Sequence, residues 1–119
     1  MNRRHLIIYI AGKYRGNIEE NIHTAREMTI KVWEAGFTCI CPHLNTIHFE
    51  RDCKCPEESY LEGDIEIVKR CNAVLMLEGW QESIGATDEH DFAHREGIPI
   101  LYNMSDLVKW ADEKENKNG

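Results

Sequence analysis

The chain has 119 residues, of which 42% are hydrophobic, and this is enough for one compact domain over residues 1–119. Its formal net charge is −7, and no basic stripe with interleaved aromatic residues is visible, which argues against a nucleic-acid polymer as ligand. Neither a signal peptide nor an apolar span of transmembrane length stands out, so we expect a cytoplasmic protein with no membrane partner. Its five cysteines should then be thiols.

Short apolar runs alternate with segments of helical periodicity along the chain. The first run, residues 6–11, is nearly all apolar and β-branched, as in a parallel strand covered on both faces. A helix with Asn17 as its N-cap follows. The predicted strands are 6–11, 37–41, 73–77 and 98–102, and the predicted helices are 18–35, 57–71, 86–93 and a last one capped by Ser105. Residues 43–56 should form a polar, irregular connection, and residues 112–119 a frayed tail.

This alternation of strands and helices predicts an α/β fold with a parallel sheet of four to five strands between helices, a three-layer architecture of the Rossmann or flavodoxin type. Ligands of such sheets bind outside the carboxyl ends of the strands. The candidate positions are therefore residues 9–16 after the first strand, Pro42 and His43 after the second, and residues 78–89 after the third.

Glu89 is the acid that the helical period turns toward the sheet. Steps of three and four residues place it on one stripe with Ala86, Phe92 and Ala93, whereas Asp88 falls on the opposite side. An inward carboxyl group in a first turn is costly unless it has a partner or a task. The alternative is a carboxyl that satisfies the helix N-terminus.

The exits of the first and third strands both have features of an anion site. Gly12 and Gly16 flank Arg15, so that backbone amides could approach an anion while the guanidinium binds it, although ordinary turn chemistry explains the same pattern. Ser83 and Gly85 add a hydroxyl group and a helix N-terminus at the third exit.

Three separated segments resemble the nucleoside 2-deoxyribosyltransferase family. They are YIAGKYRG at residues 9–16, DIEIVKRCNAV at 64–74, and SIGATDE at 83–89 followed by a small-residue helix and GIP. Within that family the sequence is most similar to 2′-deoxynucleoside 5′-phosphate N-hydrolases and to small phage-associated relatives of uncharacterised function.

The resemblance implies a role for each matching residue. Glu89 would be the nucleophile, Asp64 the acid at the base side, and Tyr9 the hydroxyl that positions the nucleophile. From the residues alone, Asp64 is better interpreted as a solvated helical acid, and Tyr9 could equally be a core aromatic residue. The residues around a 5′-phosphate would be Gly12, Arg15, Gly16, Ser83 and Gly85.

We therefore expect an N-glycosidase that cleaves a (deoxy)nucleoside 5′-monophosphate through a covalent intermediate on Glu89, without a cofactor. Hydrolysis is favoured over base exchange because Arg15 and Ser83 suggest a monophosphate. The alternatives are a nucleoside 2-deoxyribosyltransferase and a nucleotide-binding module without turnover. His43 should lie near the base or sugar, or be a satisfied structural histidine.

Two further expectations concern metal and assembly. Four cysteines and two histidines between residues 39 and 55 could hold zinc, but their two C-x-C pairs lack the usual C-x-x-C spacing, so we expect no metal and keep a zinc-stabilised interaction protein as an alternative. The site of so short a chain should be shallow, and similar family members are dimers or higher oligomers. We expect a homodimer in which Tyr102 and Asn103 approach the neighbouring site.

Overall fold

The computed structural model describes residues 2–118 of the chain, and its centre is a parallel sheet. Its four strands lie in the order β2-β1-β3-β4, and each adjacent pair is parallel. They are β1 (Arg3–Ala11), β2 (Phe37–Ile40), β3 (Ala73–Met76) and β4 (Ile100–Leu101). The first strand of the chain, β1, is thus an inner strand of the sheet, as its apolar, β-branched sequence predicts.

Helices cover both faces of this sheet. They are α1 (Ile18–Glu34), α2 (Pro42–Asn45), α3 (Phe49–Asp52), α4 (Glu57–Val68), α5 (Ile84–Glu96) and α6 (Met104–Asn118), with a 3₁₀ turn at Trp80–Glu82. One core cluster joins the sheet to α1 and α6, and the other joins it to α4 and α5. The predicted three-layer α/β fold of the Rossmann or flavodoxin type is confirmed. Among residues 2–118, no helix is long and apolar enough to cross a membrane.

Alternation along β1 decides which side chains meet which layer. Ile8 and Ile10 belong to the cluster with α1 and α6, whereas Tyr9 and Ala11 belong to the cluster with α5. All four are completely buried. Successive side chains of a strand point to opposite faces, so Tyr9 faces α5 because Ile8 and Ile10 face the other layer.

The predicted elements differ from the observed ones mainly at their ends. Residues 43–56, expected to be irregular, contain most of α2 and all of α3, which are single helical turns. The helix predicted over residues 57–71 is α4, which ends at Val68. The last strand has two residues rather than five, because the Ile98 amide instead closes the end of α5 on the Ala93 carbonyl and Pro99 has no amide to donate.

The last helix also begins and ends differently from the prediction. Asn103, not Ser105, caps α6, since its carboxamide oxygen accepts a hydrogen bond from the Asp106 amide at 2.8 Å. Where we expected a frayed tail from residue 112, α6 continues to Asn118. The buried guanidinium of Arg3 contacts Asp112 and lies 3.2 Å from Glu115, so two helix side chains are tied to β1. Gly119 lies outside the described residues.

Candidate active site

A cavity of about 170 Å³ opens at the carboxyl ends of β1, β2 and β3. This is where a parallel α/β sheet is expected to bind its ligand. Its walls come from the loop after β1, the α2–α3 segment, α4 and the start of α5. The lining residues are Gly12, Tyr14, Arg15, Pro42, His43, Thr46, Phe49, Glu50, Glu57, Tyr60, Leu61, Asp64, Ser83, Gly85, Ala86 and Glu89.

Glu89 is a buried carboxyl group on the wall of this cavity. It lies on the inner face of α5 with Ala86 and Ala93, as the helical period predicts. The Tyr9 hydroxyl, below it on β1, donates a hydrogen bond to a Glu89 carboxyl oxygen. Tyr9 keeps its proton because burial, and then the negative charges of Glu89 and Asp64, raise its pKa well above the usual value. The phenol is therefore a fixed donor that holds the carboxyl group in one orientation.

Asp64 brings a second carboxyl group to the same cavity from α4. Burial raises its pKa to about 6. Burial also raises the pKa of Glu89 to about 8, with smaller contributions from Asp64 and Asp88, while the hydrogen bond from Tyr9 opposes the rise. Between these two pKa values the pair shares one proton, so the cavity wall carries one protonated and one ionised carboxyl group near neutral pH, an arrangement that is common at functional sites.

The loop after β1 forms another wall of the cavity, through Gly12, Tyr14 and Arg15. Gly12 is required there because a β-carbon would lie 2.6 Å from the Leu77 side chain, and Gly16 has a φ of +99°. His43 is buried, and its Nε2 lies 2.8 Å from the Lys13 carbonyl oxygen. Because burial lowers its pKa, the ring is neutral and Nε2–H donates to that carbonyl. His43 thereby fastens this loop to the segment after β2.

The start of α5 completes the wall. The Ser83 hydroxyl accepts a hydrogen bond from the Ala86 amide at 3.1 Å, which makes Ser83 the N-cap. Ser83 and Gly85 both line the cavity, so the positive end of the α5 dipole borders it.

Comparison with known proteins places the chain in a family without assigning an activity. The sequence profile described as "Domain of unknown function (DUF4406)" matches residues 6–102, which is most of the chain. The chain belongs to the DUF4406 family. No curated protein matches its sequence.

A solved structure shares the fold of this DUF4406 chain. It is a 2-deoxyribosyltransferase from the psychrotolerant bacterium Bacillus psychrosaccharolyticus, with a TM-score of 0.60 and 18% identity. The similarity covers 79% of the DUF4406 chain and 69% of the transferase chain. At this level of identity the comparison shows a nucleoside deoxyribosyltransferase-like fold.

Most of the residues singled out from the DUF4406 sequence meet at the cavity. Tyr9 is beneath the wall and reaches the cavity through Glu89. Gly16 and Asn103 do not line the cavity of one chain, and Asn103 is engaged at the start of α6. The residues that do line it are Gly12, Arg15, His43, Asp64, Ser83, Gly85 and Glu89.

Several wall residues of the DUF4406 site were not predicted. Glu57 and Tyr60 are seven and four residues before the predicted Asp64 on α4, and this spacing could have shown that they share its face. Tyr14 lies between the two glycines of the first loop and donates a 2.8 Å hydrogen bond to Glu50. Glu50 carries no such signal, because it belongs to a four-residue helix with no period to read.

The cysteine and histidine residues of the DUF4406 chain do not gather as ligands. Cys39, in β2, and Cys41, just after it, are buried, whereas Cys53 is partly exposed and Cys55 is exposed, and all four are free thiols. No group of three or more metal-binding side chains is found within residues 2–118. Burial raises the pKa of Cys39 to about 12, so this thiol keeps its proton and packs in the core as a small hydrophobic residue.

Proposed function

We propose that the protein is an N-glycosidase that cleaves the bond between base and sugar of a (deoxy)nucleoside 5′-monophosphate. The observation that carries this proposal is the buried carboxyl group of Glu89, held by Tyr9 on the wall of a cavity that Asp64 also lines. Glycosidic cleavage needs two such groups, one below the anomeric carbon and one beside the leaving group.

The reaction follows from the roles of these two acids. The ionised Glu89 forms a bond to C1′ while the bond from C1′ to the base nitrogen breaks, and Asp64 gives its proton to the departing base. Water then attacks C1′, Asp64 takes a proton from that water, and Glu89 leaves as a carboxylate. The Tyr9 hydroxyl orients the Glu89 oxygen throughout and stabilises its charged form.

The 5′-phosphate would bind between the loop after β1 and the start of α5. Arg15 offers a guanidinium, and the amides near Gly12 and Gly85 offer donors at two turns that border the same cavity. These two turns follow β1 and β3. The base would then lie toward α4, the helix that carries Asp64.

Release of free base from a panel of deoxynucleoside monophosphates, measured by chromatography, tests the proposal. We expect Glu89→Gln to lower kcat by roughly 10³-fold or more while substrate binding, measured by calorimetry, is largely retained. Glu96→Gln, an exposed acid near the end of the same helix, is the matched control and should keep full turnover. Near-native turnover by Glu89→Gln would rule out Glu89 as the nucleophile.

Base exchange is the second candidate, favoured by the shared fold with a 2-deoxyribosyltransferase. The same glycosyl-enzyme would then react with an incoming base instead of water. Adding a second, isotope-labelled base to the assay separates the two, since exchange yields a labelled nucleoside monophosphate, whereas hydrolysis yields the sugar 5-phosphate and free base and leaves the label in the added base. Binding of monophosphates with no base release would instead support a nucleotide-binding module.

A further inference from the structure

The one strongly basic side chain on the described cavity wall already has an anionic partner. Arg15, on the loop after β1, is the only lysine or arginine among the lining residues. Its guanidinium donates a 3.1 Å hydrogen bond to a carboxylate oxygen of Glu57, the first residue of α4. Both side chains are exposed, 58% for Arg15 and 67% for Glu57. The pair therefore bridges two walls of the cavity at its solvent side.

A phosphate that binds the guanidinium nitrogen facing Glu57 has to displace the carboxylate from it. Carboxylate and phosphate oxygens bind a guanidinium in the same way, through charge-assisted hydrogen bonds along its donor edge. An exposed ion pair contributes little to stability, so an incoming anion can displace it. Glu57 nevertheless stays beside the site, because its backbone is fixed in the first turn of α4.

We propose that Glu57 is a specificity-determining residue that competes with the ligand phosphate for Arg15. In the empty site its carboxylate accepts a hydrogen bond from the guanidinium, and a phosphate that takes over this donor displaces it, whereas an uncharged sugar leaves the pair intact. The preference of the cavity for phosphorylated over unphosphorylated ligands is thus set by Glu57 as well as by Arg15. This inference rests on the proposed function for the identity of the ligand.

Uncleavable fragments of the substrate test the inference without turnover. Binding of 2-deoxyribose 5-phosphate and of 2-deoxyribose is measured by calorimetry on the native chain, Glu57→Gln and Glu58→Gln. We expect Glu57→Gln to tighten binding of the phosphate by about threefold to tenfold and to leave the uncharged sugar unchanged. The neighbouring exposed acid Glu58 controls for net charge and should change the phosphate affinity much less.

The same substitution in an Arg15→Ala background tests whether Glu57 acts through Arg15. The gain should vanish there, because no guanidinium remains to compete for. An equal gain from Glu58→Gln, a gain that survives Arg15→Ala, an equal gain for 2-deoxyribose, or no phosphate binding by any variant would each overturn the inference. If Glu57→Gln tightens phosphate binding but no substrate releases base, the hydrolase proposal fails and the inference stands.

Discussion

Glu89 and Asp64 hold protons at pH values where exposed carboxyl groups have lost them. Burial raises both pKa values, to about 8 for Glu89 and about 6 for Asp64. Between these values the pair holds a single proton. In the empty cavity that proton resides mainly on Glu89, whereas the reaction needs it on Asp64. Both arrangements are singly protonated, so their ratio does not change with pH. The productive one is therefore populated over the same pH range as the pair with one proton.

We therefore expect a bell-shaped pH profile of kcat/KM with limbs near pH 6 and pH 8. Below the lower limb both carboxyl groups are protonated and no nucleophile exists, and above the upper limb no acid remains for the leaving base. Because a phosphate monoester itself titrates at about pH 6, the profile should also be measured as kcat at saturating substrate. A rate that rises steadily from pH 5 to pH 9 would contradict the shared proton.

Tyr9→Phe removes the one hydrogen bond that lowers the pKa of Glu89. We expect the pKa of Glu89 to rise further, which depletes the ionised nucleophile and lowers kcat by roughly 10- to 100-fold, as for the loss of a hydrogen bond to a charged group. The upper limb of the pH profile should move to higher pH. Thermal unfolding serves as the control for lost packing. An unchanged kcat with an unchanged profile would show that Tyr9 is a core residue only.

The sequence predicts one acid of the site much better than the other. Glu89 stands out because the apolar period of α5 turns it inward among small residues. Asp64 lies among other acids on α4, where only its spacing from Tyr60 and Glu57 links it to the cavity. Whether such a face meets a cavity or water depends on packing between distant elements, which no local pattern encodes.

At the scale of elements, the close contact of the β1 exit with the β3 exit gives a stability prediction. Gly12→Ala would bring a β-carbon to 2.6 Å from Leu77, and we expect a loss of about 1–3 kcal/mol in the free energy of unfolding. Gly63→Ala is the matched control, since its β-carbon would meet nothing within 4 Å inside α4, and it should stabilise by about 0.5–1 kcal/mol. Urea titration measures both. Equal effects of the two substitutions would contradict the close-contact explanation.

The order of elements could be predicted because strands and long helices carry clear periods, but short elements could not. The capped helix α1 and the strand β1 were recognised within a few residues of their ends. The turns α2 and α3 have four residues each, too few to repeat a helical pattern. They persist because tertiary contacts hold them, such as the 3.1 Å hydrogen bond from the His48 amide to the Tyr14 hydroxyl.

For the whole molecule, we predict a homodimer as the smallest active unit. Exposed apolar side chains lie at the cavity: Phe49 and Leu61 line it, and Ile84, which is 81% exposed, lies between the lining residues Ser83 and Gly85. A second chain over this rim would bury them and exclude water from the reacting sugar. Tyr102, which directly follows β4 and is also exposed, would contact the second chain at this interface.

Light scattering and activity measured over the same dilution series test this assembly. Activity should fall as the dimer dissociates, and Ile84→Glu should favour the monomer, whereas Trp33→Ser, an exposed aromatic residue on α1, should not. Full activity of a monomer at assay concentrations would contradict the prediction.

The tie between β1 and α6 sets when this fold can be completed during synthesis. Arg3 is buried, and its partners Asp112 and Glu115 lie more than a hundred residues later on the last described helix. Leu107 and Ala111 of that helix also fill one face of the core that β1 begins. On the ribosome, the sheet can pair its strands before α6 emerges, but one face stays open to solvent and a guanidinium lacks these acids. The nascent chain therefore becomes fully stable only after α6 has left the exit tunnel.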